Sequence, residues 1–110
     1  MIAVEIVLDN DLLKLCRIKG HARSGGKGND IVCAAVSALA RAAAAALAGE
    51  DGIAVRCEAK KPGEFFLEIA ECAEAKKSFL SGVGTFLRIG LDSVAREYPK
   101  QCRLSVNTVM

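Results

Sequence analysis

The 110-residue chain has no tryptophan, one tyrosine, one histidine and two prolines. With so few aromatic side chains, its core must come from Leu, Ile, Val and closely packed Ala, the commonest residue. One histidine, with no Cys-x-x-Cys pair among cysteines 16, 33, 57, 72 and 102, excludes a zinc pattern of standard spacing. An odd number of cysteines argues against a disulfide framework. The first nine residues lack a basic stretch, and Glu5 and Asp9 interrupt their apolar character, so they do not read as a targeting signal. A formal charge of +2 is too small to argue for nucleic acid from bulk electrostatics. The longest apolar run, Ile31 to Leu47, carries Ser37 and Arg41 and is too short and alanine-rich for a membrane span. No linker, repeat or low-complexity segment divides residues 1–110. The expectation is one soluble, cytoplasmic domain with no membrane partner.

What is present reads as seven elements. Ile2, Val4, Ile6 and Leu8 alternate with Ala3, Glu5, Val7 and Asp9, the period of a half-buried strand. Asn10-Asp11 is a turn signal, and a second strand is predicted from Leu12 to Ala22. The polar segment Arg23-Ser24-Gly25-Gly26-Lys27-Gly28-Asn29 reads as a mobile loop. A helix is predicted from Asp30 to Ala48, capped by Asn29 or Asp30 and stopped at Gly49. Its apolar stripe is Val32, Ala35, Val36, Leu39, Ala43, Ala46 and Leu47. A hairpin follows: Ile53, Val55 and Cys57 alternate, Lys60-Lys61-Pro62-Gly63 turns, and Phe65, Leu67 and Ile69 alternate back.

A second helix is predicted from Ala73 to Tyr98, ending before Pro99. Its single long apolar face runs from Phe79 through Leu80, Val83, Phe86, Leu87 and Leu91 to Val94 and Tyr98. Gly82, Gly84, Gly90 and Ser93 in it allow close approach of another backbone, from a partner subunit or from the same chain. A last strand places Cys102, Leu104 and Val106 on one side. The order ββαββαβ is α+β, two helices packed on a mainly antiparallel sheet.

Cys33 falls outside the apolar stripe of its helix and aligns with Ser37 and Arg41. Within the first helical turn, unpaired N–H groups carry partial positive charge that favours a thiolate, and Asp30 opposes it. His21 closes the preceding strand on the other side of the glycine loop. A thiolate and an imidazole within hydrogen-bond reach are what a cysteine protease needs. The other cysteines read as small buried hydrophobes: Cys57 and Cys102 on the apolar sides of their strands, Cys16 facing with Ile18, Cys72 before the second helix.

Gly20-His21-Ala22, then Gly28, then Asp30-Ile31-Val32-Cys33-Ala34-Ala35-Val36-Ser37-Ala38-Leu39 resembles the signature of the Prp family of ribosomal-processing cysteine proteases. The resemblance spans the chain in length and element order. It implies a catalytic dyad of His21 and Cys33, a homodimer, and no metal or organic cofactor. It also implies a substrate: the N-terminal extension of ribosomal large-subunit protein twenty-seven, cut after an aromatic-rich stretch before ribosome assembly. In that mechanism an early helix amide, at or near Cys33, donates to the oxyanion. Asp30 either orients His21 or caps the helix. Ser37 either bonds beneath the site or bonds back to its own helix. The loop of Arg23, Ser24, Gly25, Gly26, Lys27 and Gly28 closes over the substrate. Family members often carry an aromatic and an acidic residue where this chain has the basic Arg23 to Lys27, which bears on the peptide preferred.

The same loop looks like a phosphate-binding loop but fails at two positions, having His21 where Gly is needed and Gly28 where Ser or Thr is needed. Lys27, Arg23 and a helix N-terminus still suit an anion, so a non-enzymatic RNA- or ribosome-binding module is the rival class, with nucleic acid the less favoured partner.

Overall fold

Strict alternation of apolar and polar residues makes Ile2–Asp9 a strand, β1, with Ile2, Val4, Ile6 and Leu8 buried. Asn10 and Asp11 both take positive φ, 50° and 65°, and turn the chain into β2, Leu12–Lys19. The computed structural model describes residues 1–20, 27–61 and 63–109, apart from the side chains of 27–30. Helix α1 spans Lys27–Ala48. Strands β3, Ile53–Glu58, and β4, Glu64–Cys72, form the expected hairpin. A 3-10 turn, Glu74–Lys76, leads into α2, Lys77–Glu97, and β5 is Cys102–Thr108.

The sheet order is β3-β4-β2-β1-β5. Every pairing is antiparallel except β1 with β5. The fold is therefore the α+β arrangement that the sequence predicts. Both helices cover one face, α1 over β3 and α2 over β2 and β5, and they touch each other. That face carries the buried core, including Ile6, Cys16 and Leu67, which are cross-strand neighbours. The other face is polar. On it Arg17 meets Glu5 at 3.4 Å and Arg56 meets Glu68 at 3.5 Å, with both guanidiniums over the Phe66 ring. The 18-residue window Ile31–Ala48 is long and apolar enough to cross a membrane, with mean hydropathy 2.0. Here its Val32, Val36, Ala40, Ala43, Ala44 and Leu47 are buried against the rest of the chain.

Several boundaries and faces differ from expectation, each for a physical reason. β2 stops at Lys19 because Gly20 takes φ 108° and turns away, its N–H donating to Gly63 O at 2.9 Å. A Cβ at Gly20 would lie 2.2 Å from Met1 O, so only glycine fits. α1 begins three residues before Asp30, placing Asn29 and Asp30 inside the helix rather than at its cap. Extending an existing helix costs far less than nucleating one, and the alanine run carries it back through Gly28. In α1 Ala40 and Ala44 are buried, while Ala46 is exposed.

Cys57 is exposed rather than buried. It pairs with buried Leu67, but β3 is the edge strand, with no strand on its other side. The apolar arc of α2 is only half covered: Leu80, Gly84, Leu87 and Leu91 are buried, whereas Phe86 is 72% exposed. The helix also starts later than expected, because Ala73 is extended and its N–H donates to Gly52 O at 2.7 Å.

Candidate active site

Cys33, Ser37 and Arg41 stand one helical turn apart on α1 and line a single cavity of about 420 Å³. The floor is apolar, made by Ile2 and Ile18 from β1 and β2, Val36 and Ala40 from α1, and Phe65 from β4. Gly20 also lines the cavity. The β3–β4 turn supplies the facing wall through Lys60, Lys61, Gly63 and Glu64. That wall is held in place by the Gly20 N–H to Gly63 O bond and by the Glu64 N–H donating to Lys61 O at 3.1 Å. Thus Gly20 and Cys33, which bracket the glycine loop in sequence, meet at one concavity of the fold.

Cys33 is half-buried against the core with its flank open to the cavity, unlike the two enclosed thiols. Burial pushes the Cys16 thiol up to about 12 and raises Cys102, so neither supplies a thiolate near neutral pH. Cys57 is exposed and Cys72 half-buried, its Sγ donating to Ala73 O at 3.5 Å. Neither lines this cavity.

His21, Arg23, Ser24, Gly25 and Gly26 lie outside the described residues, as do the side chains of Lys27, Asn29 and Asp30, with Gly28 described in its backbone alone. Ser37 is exposed and lines the cavity beside Cys33. Cys33 itself is the seventh residue of α1, not a first-turn residue. Its amide therefore belongs to the helical hydrogen-bond ladder, and the unpaired amides lie one turn upstream. The expected oxyanion donor at Cys33 is corrected accordingly, and the helix-end field that favours a thiolate falls off within the first turn.

Sequence spacing had aligned Arg41 with Cys33, but not Lys60, Lys61 or Phe65, which reach the cavity only through the β2–β4 pairing of Ile18 with Phe65. Among the described residues, no group of three His, Cys, Asp or Glu side chains could hold a metal ion.

The family model for the cysteine protease Prp matches residues 1–103. Comparison with the curated proteins gives no match. Among solved structures, SMU.848 from Streptococcus mutans is similar with TM-score 0.80 at 26% identity, covering 99% of this chain and 96% of that one. An essential ribosomal processing protease Prp from S. aureus, in complex with a substrate peptide, has TM-score 0.80 at 22% identity, covering 97% and 100%. The same protease with a covalently linked product peptide has TM-score 0.79 at 23% identity, covering 97% and 100%. These likenesses share the fold described above.

Proposed function

The chain belongs to the cysteine protease Prp family, and from that premise we propose that Cys33 is its nucleophile, His21 its base, and a ribosomal protein precursor its substrate. The observation that carries this reading is the cavity shared by Cys33 and Gly20, the residue covalently joined to His21. His21 takes the Cys33 thiol proton as sulfur attacks the scissile carbonyl, and returns a proton to the leaving amine. Water then attacks the thioester, His21 accepts its proton, and the acid product leaves with Cys33 regenerated as the thiol.

The substrate in this reading is the N-terminal extension of ribosomal large-subunit protein twenty-seven. The apolar floor of Ile2, Ile18, Val36, Ala40 and Phe65 suits the aromatic-rich stretch of such a peptide. A S. aureus protease of the same fold is described as a ribosomal processing protease and holds a substrate peptide. Five unpaired thiols fit a reducing cytoplasm.

A homodimer joined through α2 belongs to the same proposal. Phe79, Phe86 and Ile89 are 38%, 72% and 64% exposed on that helix, and Ile31 of α1 is 54% exposed. Leu39, which packs at Gly90 of α2, lies about 120° around α1 from Cys33, so pairing on this side leaves the cavity open.

Mass spectrometry of the ribosomal precursor tests the reading. Wild-type enzyme removes the N-terminal extension, and Cys33→Ser and His21→Ala do not. Cleavage that persists in Cys33→Ala overturns the proposal, and retention of RNA binding with no cleavage by wild type favours the rival module. Sedimentation of Phe86→Glu, expected to be monomeric, tests the dimer.

A further inference from the structure

A cation on α1 shares the cavity with the proposed nucleophile. Arg41 lines the cavity two turns beyond Cys33, and among the described residues no carboxylate lies within ion-pair distance of it. Among the other described arginines, Arg17, Arg56 and Arg96 each meet one, at 3.4, 3.5 and 2.7 Å, while Arg88 and Arg103 do not, so what sets Arg41 apart is its place in the cavity. Facing Arg41 across the cavity are Lys61, also without an anionic partner among the described residues, and Lys60, 3.8 Å from Glu58. Glu64 is the one carboxylate among the described lining residues. With Lys60 paired to Glu58, Arg41 and Lys61 face the single carboxylate of Glu64, which leaves the described lining with a net positive charge.

We propose that Arg41, supported by Lys61, is a specificity-determining residue that selects an acidic side chain in the peptide. The position follows from helix and strand geometry. Eight residues of helix separate Cys33 from Arg41, about 12 Å at 1.5 Å per residue. An extended peptide advances about 3.3 Å per residue, so the selected side chain lies three or four residues from the scissile bond. A guanidinium grips a carboxylate with two parallel hydrogen bonds.

This inference rests on Cys33 being the nucleophile, and the test separates the two. Peptides carrying Glu, Gln or Lys at each of five positions on either side of the scissile bond are compared by kcat/KM at low salt. Wild type is expected to prefer Glu to Gln by about threefold to fivefold at a position three or four residues away, and to disfavour Lys. The preference shrinks in 1 M salt, where screening acts within about 3 Å. Arg41→Glu inverts the Glu-to-Lys ratio at that position alone. Because the ratio is read within each enzyme, lower overall activity does not move it. A ratio that Arg41→Glu leaves unchanged, or a preference confined to residues adjoining the scissile bond, overturns the inference. Cys33→Ala, which must cleave none of the peptides, tests the underlying reading separately.

Discussion

Helices α1 and α2 share one face of the sheet but present different surfaces to everything else. α1 turns Val32, Val36, Ala40, Ala43, Ala44 and Leu47 inward, and along the flank away from α2 it carries Cys33, Ser37 and Arg41 into the cavity. α2 turns Leu80, Gly84, Leu87 and Leu91 inward and leaves Phe79, Phe86 and Ile89 in solvent. Alanine on the buried side of α1 brings its backbone close to the sheet, which lets short polar side chains on its flank share a concavity with Gly20 and the β3–β4 turn. The larger residues of α2 anchor the core, and its outward side carries apolar surface instead of reactive groups. One helix opens a thiol, a hydroxyl and a guanidinium into a cavity, and the other leaves apolar side chains in solvent.

The strongest separation between the two roles is in cleavage. Cys33→Ala is expected to lower kcat by more than about a thousandfold, as loss of a covalent nucleophile does. Cys57→Ala, removing the most exposed of the other thiols, is expected to leave peptide cleavage in place. Alkylation by iodoacetamide at neutral pH refines this: Cys33 reacts faster than Cys57 in wild type, and His21→Ala brings its rate down to that of Cys57. Equal rates for the two thiols in wild type refute an imidazole-assisted Cys33.

Next comes a pair of neighbours on α2. Leu87 is 0% exposed and Phe86 is 72% exposed. Leu87→Ala is expected to cost about 2–5 kcal/mol in denaturant unfolding, through lost burial and the cavity left behind. Phe86→Ala is expected to change unfolding of the dilute chain by less than about 0.5 kcal/mol and to weaken self-association instead. A Phe86 cost matching that of Leu87 would place both rings in one core and dissolve the distinction.

How much of this was legible beforehand depends on whether the information is local. Alternation in β1, the turn at Asn10-Asp11 and the stop of α2 before Pro99 are local patterns, and each stands as read. The positive φ of Gly20 is set by Met1 and Gly63, residues far away in sequence, and no pattern within β2 reveals it. Cys57 lies on the apolar side of β3, yet its exposure depends on β3 being the edge strand of the sheet, which no local pattern reveals. The apolar arc of α2 is wide, and the sequence does not say which half faces the sheet. At the site, Cys33 with Ser37 and Arg41 was readable from helical spacing, whereas Lys60, Lys61 and Phe65 arrive by strand pairing.

A pH dependence of intermediate size comes from beneath the helices. Burial raises the Cys16 thiol from 9.0 to about 12, so the folded chain keeps it protonated while the unfolded chain ionises it. The stability it contributes is complete below pH 9.0 and is lost as the pH climbs toward 12. Unfolding free energy should fall by about 1.4 kcal/mol per pH unit in that window. Cys102, raised by the same cause, acts in the same direction. Cys16→Ala is expected to lower stability at pH 7 and to flatten the alkaline slope; a slope as steep as in wild type would assign the effect to other groups.

The smallest effects concern two glycines of α2 that lie two residues apart on opposite sides. At Gly82 an added methyl meets nothing within 4 Å, so Gly82→Ala gains helix propensity without a clash and is expected to stabilise by about 0.5–1 kcal/mol. At Gly84 the same methyl comes within 3.0 Å of Leu13 Cβ, which is fixed to the backbone of β2 and has no rotamer that moves it. Overpacking of that kind costs about 1–3 kcal/mol, enough to cancel or reverse the gain. Gly90 lies between the two cases, because the atoms in its way are the terminal methyls of Leu39 on α1, at 2.9 and 3.1 Å, which can rotate aside. Thermal unfolding should therefore rank Gly82→Ala above Gly90→Ala above Gly84→Ala. The reverse order would mean that α2 rests on the sheet through the side bearing Phe86 and Ile89, with Leu87 turned outward.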